Sequence, residues 1–389
     1  MIFTSPSVGA EEQAALDRIE EMRGELRYYV AEPRRWVGPV RRVLAARAIQ
    51  GSNSIEGFNV SVEDAVAALE GDEPQDSKNE DFRAVSSYRR ALTYVIQLSR
   101  DDHFSYSSSL LRSLHFMMTE YDLDASPGLW RPRGIWIRNE ASGDIVYEGP
   151  DHELVPGLVE ELVQDLQADS DAPVMVRAAM SHLNLVMIHP FRDGNGRMSR
   201  CLQTLVLARE GILVPEFSSI EEYLGRNTAS YYEILRDVGQ GRWNPQNDAR
   251  PWIRYCLTAH YIQAASVVRR VRESERLWQE LEALVSRRSL PERSIEALFD
   301  AAIGLRVRNA SYRSSLKSNG VEISNQTATN DLRALVDAAV LVKKGQKRGT
   351  FYVASDDLAT IYQRVRSTRT PIDASRLFDP PQPQLFPSD

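Results

Sequence analysis

The stretch between residues 174 and 211 limits the fold more narrowly than any other. Val174 to Ile188 reads as a strongly apolar helix that ends before Pro190, and Met198, Leu202, Leu205 and Val206 then recur at helical spacing until Gly211. The run His189-Pro190-Phe191-Arg192-Asp193-Gly194-Asn195-Gly196-Arg197-Met198-Ser199-Arg200 is therefore a helix-loop-helix corner. The same helical periodicity on either side predicts a mainly α-helical domain around it.

At 389 residues the chain has room for two or three domains of about 150 residues each. Hydrophobic residues at 42% and charged residues at 26% exclude global disorder and a collagen-like chain. No apolar run approaches the ~20 residues of a membrane helix, and the first residues lack a signal-peptide pattern, so a cytoplasmic protein without membrane contact is expected. Cys201 and Cys256 lie in apolar helical segments without C-x-x-C spacing, which predicts reduced core residues and no cysteine-based zinc site. His182 and His260 form no metal-ligand set with them and read as core or surface residues.

Punctuation and charge divide the chain. Residues 1–105 read as an N-terminal helical region, interrupted at Pro33, at Gly51 to Gly57 and at the polar stretch Gly71 to Glu80. Residues 106–265 remain helical except at 134–148, where Ile135-Trp136-Ile137 and Ile145-Val146-Tyr147 flank Ser142-Gly143-Asp144 as a short β-hairpin. The edges of such a hairpin are either a liability or a place where an extended peptide can pair. A charged linker helix at 266–285 leads to residues 286–368. There, helical pieces precede Val340-Leu341-Val342, a basic turn from Lys343 to Gly349, and Thr350-Phe351-Tyr352-Val353, an order that predicts a winged helix-turn-helix. Net charge is −7 overall, yet Ser286 to Val353 carries twelve Lys/Arg against six Asp/Glu. Residues 369–389, rich in proline, are expected to form a flexible tail.

The corner carries the chemistry. Glycines on both sides of Asn195 permit tight backbone conformations whose N–H groups converge on an anion, and the following helix adds its positive dipole. Arg197 and Arg200, three apart on the first turn, share a face suited to the outer phosphates of a nucleotide. The first turn of a helix ordinarily favours acidic residues, so two arginines there point to a bound anion. Asp193 supplies the hard oxygen that Mg²⁺ takes beside phosphates, and His189 has the intrinsic pKa range of a base for a hydroxyl proton. Singly, such a histidine is ordinarily structural, a Gly-Asn-Gly a turn and an arginine a solvated side chain; the four together within one short loop make a phosphate site.

The run matches H-x-F-x-[D/E]-G-N-G-R-x-x-R and so resembles the signature of the Fic (filamentation induced by cAMP) family at every defined position. Pro127-Gly128-Leu129-Trp130-Arg131 resembles the family's P-G-x-x-R, and Asn227 to Leu235, with Tyr231-Tyr232, its adenine-side segment; the likeness covers roughly residues 35 to 260. The resemblance implies a Fic-type helical bundle with a β-hairpin flap, followed by the winged helix that is often its C-terminal partner. It implies transfer of AMP from ATP to a Ser, Thr or Tyr hydroxyl of a target protein or of the enzyme itself. By the same likeness His189 is the base, Asp193 holds Mg²⁺, and Gly194, Asn195, Gly196, Arg197 and Arg200 bind phosphates. Tyr231 and Tyr232 border the adenine, and the flap, centred on Ile137, holds the target segment as an added strand. Gly196 argues against the kinase-like branch, which has lysine there. Thr228 stands where many relatives carry arginine, which leaves adenine selection less defined than phosphate binding.

Upstream, Ser52-Asn53-Ser54-Ile55-Glu56-Gly57 follows a run of helix formers, and Ser52 and Glu56, four apart, share a face on which Ser52 can steady Glu56. The segment is similar to the family's inhibitory motif [S/T]-x-x-x-E-[G/N], which implies that Glu56 pairs with Arg200 and keeps the γ-phosphate from settling. Alternatives remain open: removal of AMP, another nucleotide or phosphocholine donor, or a winged-helix DNA-binding regulator. In the winged helix, Asn325 to Asn330 opens a recognition helix and Lys343, Lys344, Lys347 and Arg348 stand on the wing, for contact with DNA or with protein. A homodimer is a further expectation.

Overall fold

The structure, a computed structural model, describes all residues except 32–33, 72–78, 139–142, 144, 212–214 and 380–389. Its elements are α1 (Ala10–Ala31), α2 (Val37–Ile55), α3 (Val62–Glu70), α4 (Asn79–Leu98), α5 (Ser108–Thr119), β1 (Trp136–Arg138), β2 (Ile145–Glu148), α6 (Val155–Gln167), α7 (Val174–Ile188), α8 (Asn195–Arg209), α9 (Pro215–Ser218), α10 (Glu221–Arg226), α11 (Thr228–Gly239), α12 (Arg250–Arg287), α13 (Ile295–Ala302), α14 (Asn309–Ser318), α15 (Asn325–Asp337), β3 (Leu341–Lys344), β4 (Phe351–Ala354) and α16 (Asp356–Arg366).

The first unit comprises residues 1–24, 45–264 and the described residues from 373 onward. Every residue of α7 is buried except Val174, Arg177 and Val186, so this helix, apolar nearly all round, is the centre of the unit. It packs along α8, with α4 and α5 against α8 and α6 against α7. Local signals set the boundaries: Ser61 caps α3 by accepting from Asp64 N–H at 3.0 Å, and Ser107 caps α5 by accepting from Leu110 N–H at 3.1 Å.

The expected hairpin is present as an antiparallel pair with Ile137 opposite Tyr147 and an irregularity between Ile137 and Arg138. Ser142 and Asp144 of its expected turn lie outside the described residues. The loop after α11 pairs with the far side of β2: Glu148 N–H donates to Gly241 O at 3.0 Å and Trp243 N–H to Glu148 O at 2.9 Å. Among the described residues no strand pairs with the outer edge of β1.

The second unit comprises residues 25–44 and 265–372. Here α13, α14 and α15 precede the β3–β4 hairpin, and Val307 bridges Tyr352 antiparallel through bonds of 2.9 and 2.8 Å. Leu298, Phe299, Leu316, Leu332, Leu335 and Leu358 form its core. Asp331, buried on α15, accepts from Arg293 at 2.7 and 2.8 Å and from the Tyr312 hydroxyl at 3.1 Å.

Three expected boundaries differ. Residues 25–44 belong with the second unit and not with the rest of 1–105, because Arg35 pairs with Glu296 at 3.0 Å and Arg42 with Asp300 at 2.7 Å. Residues 266–285 are no separate linker: α12 runs unbroken from Arg250 to Arg287. The apolar positions Val267, Val271, Leu277, Leu281 and Leu284 stay buried along its length. Nor are the first residues of the tail loose. Leu377 is buried, its carbonyl accepts from Arg18 Nη1 at 2.7 Å, and Arg254 lies 5.2 Å from the Phe378 ring centroid. The rest of the expected flexible tail, 380–389, lies outside the described residues. Among the described residues no helix is long and apolar enough to cross a membrane.

Candidate active site

The loop between α7 and α8 is held from several sides. His189 closes α7 in a left-handed conformation, φ 51°, uncommon for a residue other than glycine. Its Nδ1 lies 3.1 Å from Val186 O and so carries the proton, leaving the lone pair on Nε2. Burial draws the imidazole down from 6.5 to about 4, which keeps it neutral near pH 7. Arg131, itself buried, donates its backbone N–H to Pro190 O at 2.9 Å, its Nε to His189 O at 2.9 Å, and its Nη2 to Pro150 O. The motif residue Arg131 therefore works as a clamp on the carbonyls behind the histidine.

Asn195 fixes the other end, accepting from Phe191 N–H and donating to Phe191 O, both at 2.9 Å. Phe191 stacks on His115 at 3.7 Å between centroids. His115 accepts from Gly128 N–H on Nδ1 and donates from Nε2 to Asp193 O, each at 2.9 Å, and burial lowers it to about 4 as well. A lone histidine on the amphipathic α5 gave no sequence signal for this role. Gly194 takes φ 76°, and a β-carbon there would come 3.1 Å from Thr119 Cγ2.

The signature arginines are both buried. Arg200 donates its Nε to Ser52 Oγ at 2.8 Å and its Nη2 to Ser52 O at 2.9 Å and Glu56 Oε1 at 2.6 Å. Burial alone would lower its pKa, but the Glu56 carboxylate, with Tyr231 and Tyr88 beside it, raises it on balance. Ser52 thus binds Arg200 through its hydroxyl and carbonyl oxygens, where the expected role was to steady Glu56 directly; the two residues meet instead on one guanidinium. Arg197 donates its Nη1 to the Tyr121 hydroxyl at 3.1 Å and its Nη2 to Asp193 Oδ2 at 3.4 Å. The Asp193 side chain is 56% exposed at the mouth of the loop.

The two tyrosines separate. Tyr231 is 1% exposed, and its hydroxyl lies 2.9 Å from His182 Nε2. Buried in the core, it has no surface for an adenine, which corrects at this residue the role that the resemblance implied. Tyr232 is 48% exposed and donates its hydroxyl to Ile55 O at 3.2 Å, beside the segment that carries Glu56. His182 is a satisfied core residue, with its other nitrogen 2.6 Å from Gln203 Oε1. Cys201 and Cys256 are buried and free.

A glycine-framed helix start, a neutral imidazole and two buried guanidiniums at one loop have the chemistry suited to an anion such as a phosphate. Residues 105–207 match the sequence model of the Fic/DOC family, and this part of the chain is a Fic domain. A protein adenylyltransferase Fic of Nematostella vectensis is 26% identical over 265 residues, covering 64% of this chain and 55% of its own. A probable protein adenylyltransferase of Aquifex aeolicus is 27% identical over 194 residues, 49% of this chain and 53% of its own. The chain thus spans about half the length of these curated relatives. Among solved structures, a Fic family protein of Desulfovibrio desulfuricans superposes with a TM-score of 0.57 at 20% identity, covering 90% of this chain and 98% of that one. Fic-1 of Caenorhabditis elegans does so at 0.54 and 20%, covering 67% and 73%. That likeness is one of fold.

Proposed function

We propose that the chain is a protein adenylyltransferase that transfers AMP from ATP to a Ser, Thr or Tyr hydroxyl of a target protein and of itself. The observation that carries this reading is the meeting of neutral His189, the Gly194–Gly196 start of α8 and the guanidiniums of Arg197 and Arg200 at one loop. The hydroxyl oxygen attacks the α-phosphorus, pyrophosphate leaves with the electrons of the broken P–O bond, and His189 Nε2 takes the hydroxyl proton. Arg197, Arg200 and the first-turn N–H groups of α8 hold the phosphates. A target segment pairs along the open edge of β1 at Ile137. Glu56 is the brake, since its carboxylate takes the guanidinium that the γ-phosphate needs.

Asp193 fits Mg²⁺: its carboxylate is a hard oxygen donor, more than half exposed at the loop beside the start of α8. The ion would share that carboxylate with the nucleotide's own phosphates, as Mg²⁺ commonly does, and when bound it supplies neutralisation of phosphate charge. Two free, buried cysteines fit a reducing, cytoplasmic setting.

The test compares wild type, Glu56→Gly and Glu56→Gly/His189→Ala after incubation with Mg-ATP, by intact and peptide mass. Added AMP in Glu56→Gly and none in the double variant is the expected result; UTP and CDP-choline in parallel read donor choice. Failure of every variant to bind nucleotide overturns the reading.

We further infer that residues 286–368 are a winged helix-turn-helix that contacts duplex DNA. On α15 Gln326, Asn330 and Arg333 form one exposed stripe, opposite the buried Ala328, Asp331, Leu332 and Leu335. These are side chains suited to adenine and guanine edges, and Lys343, Lys344 and Lys347 stand exposed on the hairpin for phosphates. The side chain of Arg348, expected beside them, lies outside what is described. Salt-sensitive binding of a labelled duplex, weakened by Lys343→Ala/Lys344→Ala, is expected. Binding that ignores salt, or no binding, would move the unit to a protein-docking role.

A further inference from the structure

We propose that Phe58 and Tyr121 clamp Arg197 in the orientation that meets the nucleotide's phosphates, so that the segment carrying the brake also supports the working site. The proposal rests on the adenylyltransferase reading.

After Glu56 the chain turns sharply at Gly57, φ 83°, and Phe58 N–H bonds back to Asn53 O at 3.1 Å. That turn lays the half-buried Phe58 ring over Arg197, whose guanidinium carbon is 5.0 Å from the ring centroid, inside the ~6 Å reach of a cation–π contact. Phe58 meets Tyr121 edge to face, with centroids 6.3 Å apart and planes at 85°, and the Tyr121 hydroxyl accepts from Arg197 Nη1 at 3.1 Å. One ring therefore covers a face of the guanidinium while the other holds an edge. Asp193 adds only a longer contact of 3.4 Å from an exposed carboxylate, whereas the aromatic pair holds both a face and an edge of this cation.

What is left open on Arg197 is informative. Its Nε–H is buried and has no acceptor among the described residues. An unmet donor of that kind is unfavourable in the resting protein, and a phosphate oxygen arriving at the start of α8 would satisfy it. The guanidinium is thus held in place and still has a donor to give.

The segment from 52 to 58 then acts in two opposite senses. Ser52 and Glu56 occupy Arg200, and Phe58 holds Arg197. Removing the carboxylate releases the site, whereas removing the aromatic ring weakens it. Phe58 and Tyr121 are positioning residues, acting through Arg197.

The test uses the full chain in a Glu56→Gly/His189→Ala background, which lacks both brake and turnover, and titrates Mg-ATP by calorimetry. Phe58→Leu keeps an apolar side chain but removes the ring face, and is expected to raise Kd about fivefold. Phe58→Tyr restores the face and should stay within about twofold of the parent. Tyr121→Phe keeps the ring but removes the acceptor for Nη1, with an expected loss of about threefold. Unchanged Kd in both Phe58→Leu and Tyr121→Phe would overturn the clamp while leaving the adenylyltransferase reading intact. A parent that binds no Mg-ATP would overturn both. Unfolding midpoints measured alongside separate a positional effect from a loss of fold, since Phe58→Tyr must then rescue affinity and not merely stability.

Discussion

Glu56 lies across Gly196: a β-carbon at position 196 would collide with Glu56 Oε1, the oxygen that also accepts from Arg200 Nη2 at 2.6 Å. A single carboxylate therefore both sits at the N-terminus of α8, where a helix attracts anions, and serves as counter-ion to a fully buried guanidinium. The brake is also a stabilising contact.

The first prediction follows from that double role. Breaking a buried ion pair costs about 3–5 kcal/mol, and because Glu56 is 22% exposed the expected loss in Glu56→Gly is about 2 kcal/mol. Thermal unfolding should fall by about 4–8 °C. Mg-ATP at about a hundred times its Kd should return about 2.7 kcal/mol, since the phosphates replace the missing carboxylate. Differential scanning calorimetry with and without nucleotide checks this; a variant as stable as wild type without ligand would contradict it.

A second prediction concerns how the braking segment is seated. A β-carbon at Gly225 on α10 would lie 2.6 Å from Gly51 Cα and Gly51 O, and one at Gly51 on α2 would lie 2.5 Å from Glu221 O. These neighbours are backbone and cannot swing aside. Gly225→Ala should push the C-terminal end of α2 away from α10, at a cost of about 1–3 kcal/mol. Because Ser52 and Glu56 stand on that end, self-modification should rise even though neither was changed. Denaturant titration paired with the mass assay reads both effects, and a destabilised variant with wild-type self-modification would count against the seating argument.

How much of this was legible in the sequence depends on distance along the chain. His189, Asn195, Arg197 and Arg200 lie on one local run whose chemistry is written in consecutive residues, and the four-residue step from Ser52 to Glu56 is a helix face. What Ser52 touches was not legible, because its partner Arg200 is 148 residues away and either a carboxylate or a guanidinium satisfies a hydroxyl. Tyr231 and Tyr232 show the same limit: adjacent residues on a helix point to different sides, and only the packing of α7 and α12 decides that Tyr231 is the inner one. His115 had no signal at all. Its task is to join Gly128 and Asp193, two backbone groups that come together only after folding. For residues 369–379 composition misled, since Leu377 and Phe378 anchor the start of a segment expected to be loose.

A third prediction tests the second unit. Asp331 is 3% exposed and is held by both nitrogens of the Arg293 fork and by the Tyr312 hydroxyl. Asp331→Ala leaves a buried hydroxyl and a guanidinium without their acceptor, and with Arg293 37% exposed to water the expected loss is about 1–3 kcal/mol. The loss should appear in the unfolding of residues 265–372, and proteolysis should open cleavage sites between 309 and 340 before any in α7 or α8. Asp331→Asn, which keeps an acceptor for the same donors, should recover part of it.

The last prediction is a pH dependence. Burial lowers His115 and His189 from 6.5 to about 4 and His182 to about 3, so in the folded chain all three stay neutral where the unfolded chain would protonate them. The unfolded state binds more protons between those values, so stability rises with pH across the window. The contribution is complete above pH 6.5 and is lost as the pH falls from 6.5 toward 4, with each histidine adding a slope of up to about 1.4 kcal/mol per pH unit. His115→Gln keeps a donor for Asp193 O yet cannot titrate. Urea unfolding at pH 7.5, 6.5, 5.5 and 4.5 should therefore give a shallower fall for the variant than for wild type, by about 1 kcal/mol per pH unit below 6. Parallel profiles would mean that His115 already carries a proton in the fold, with Gly128 N–H then facing a donor on Nδ1 in place of the lone pair that the 2.9 Å contact requires.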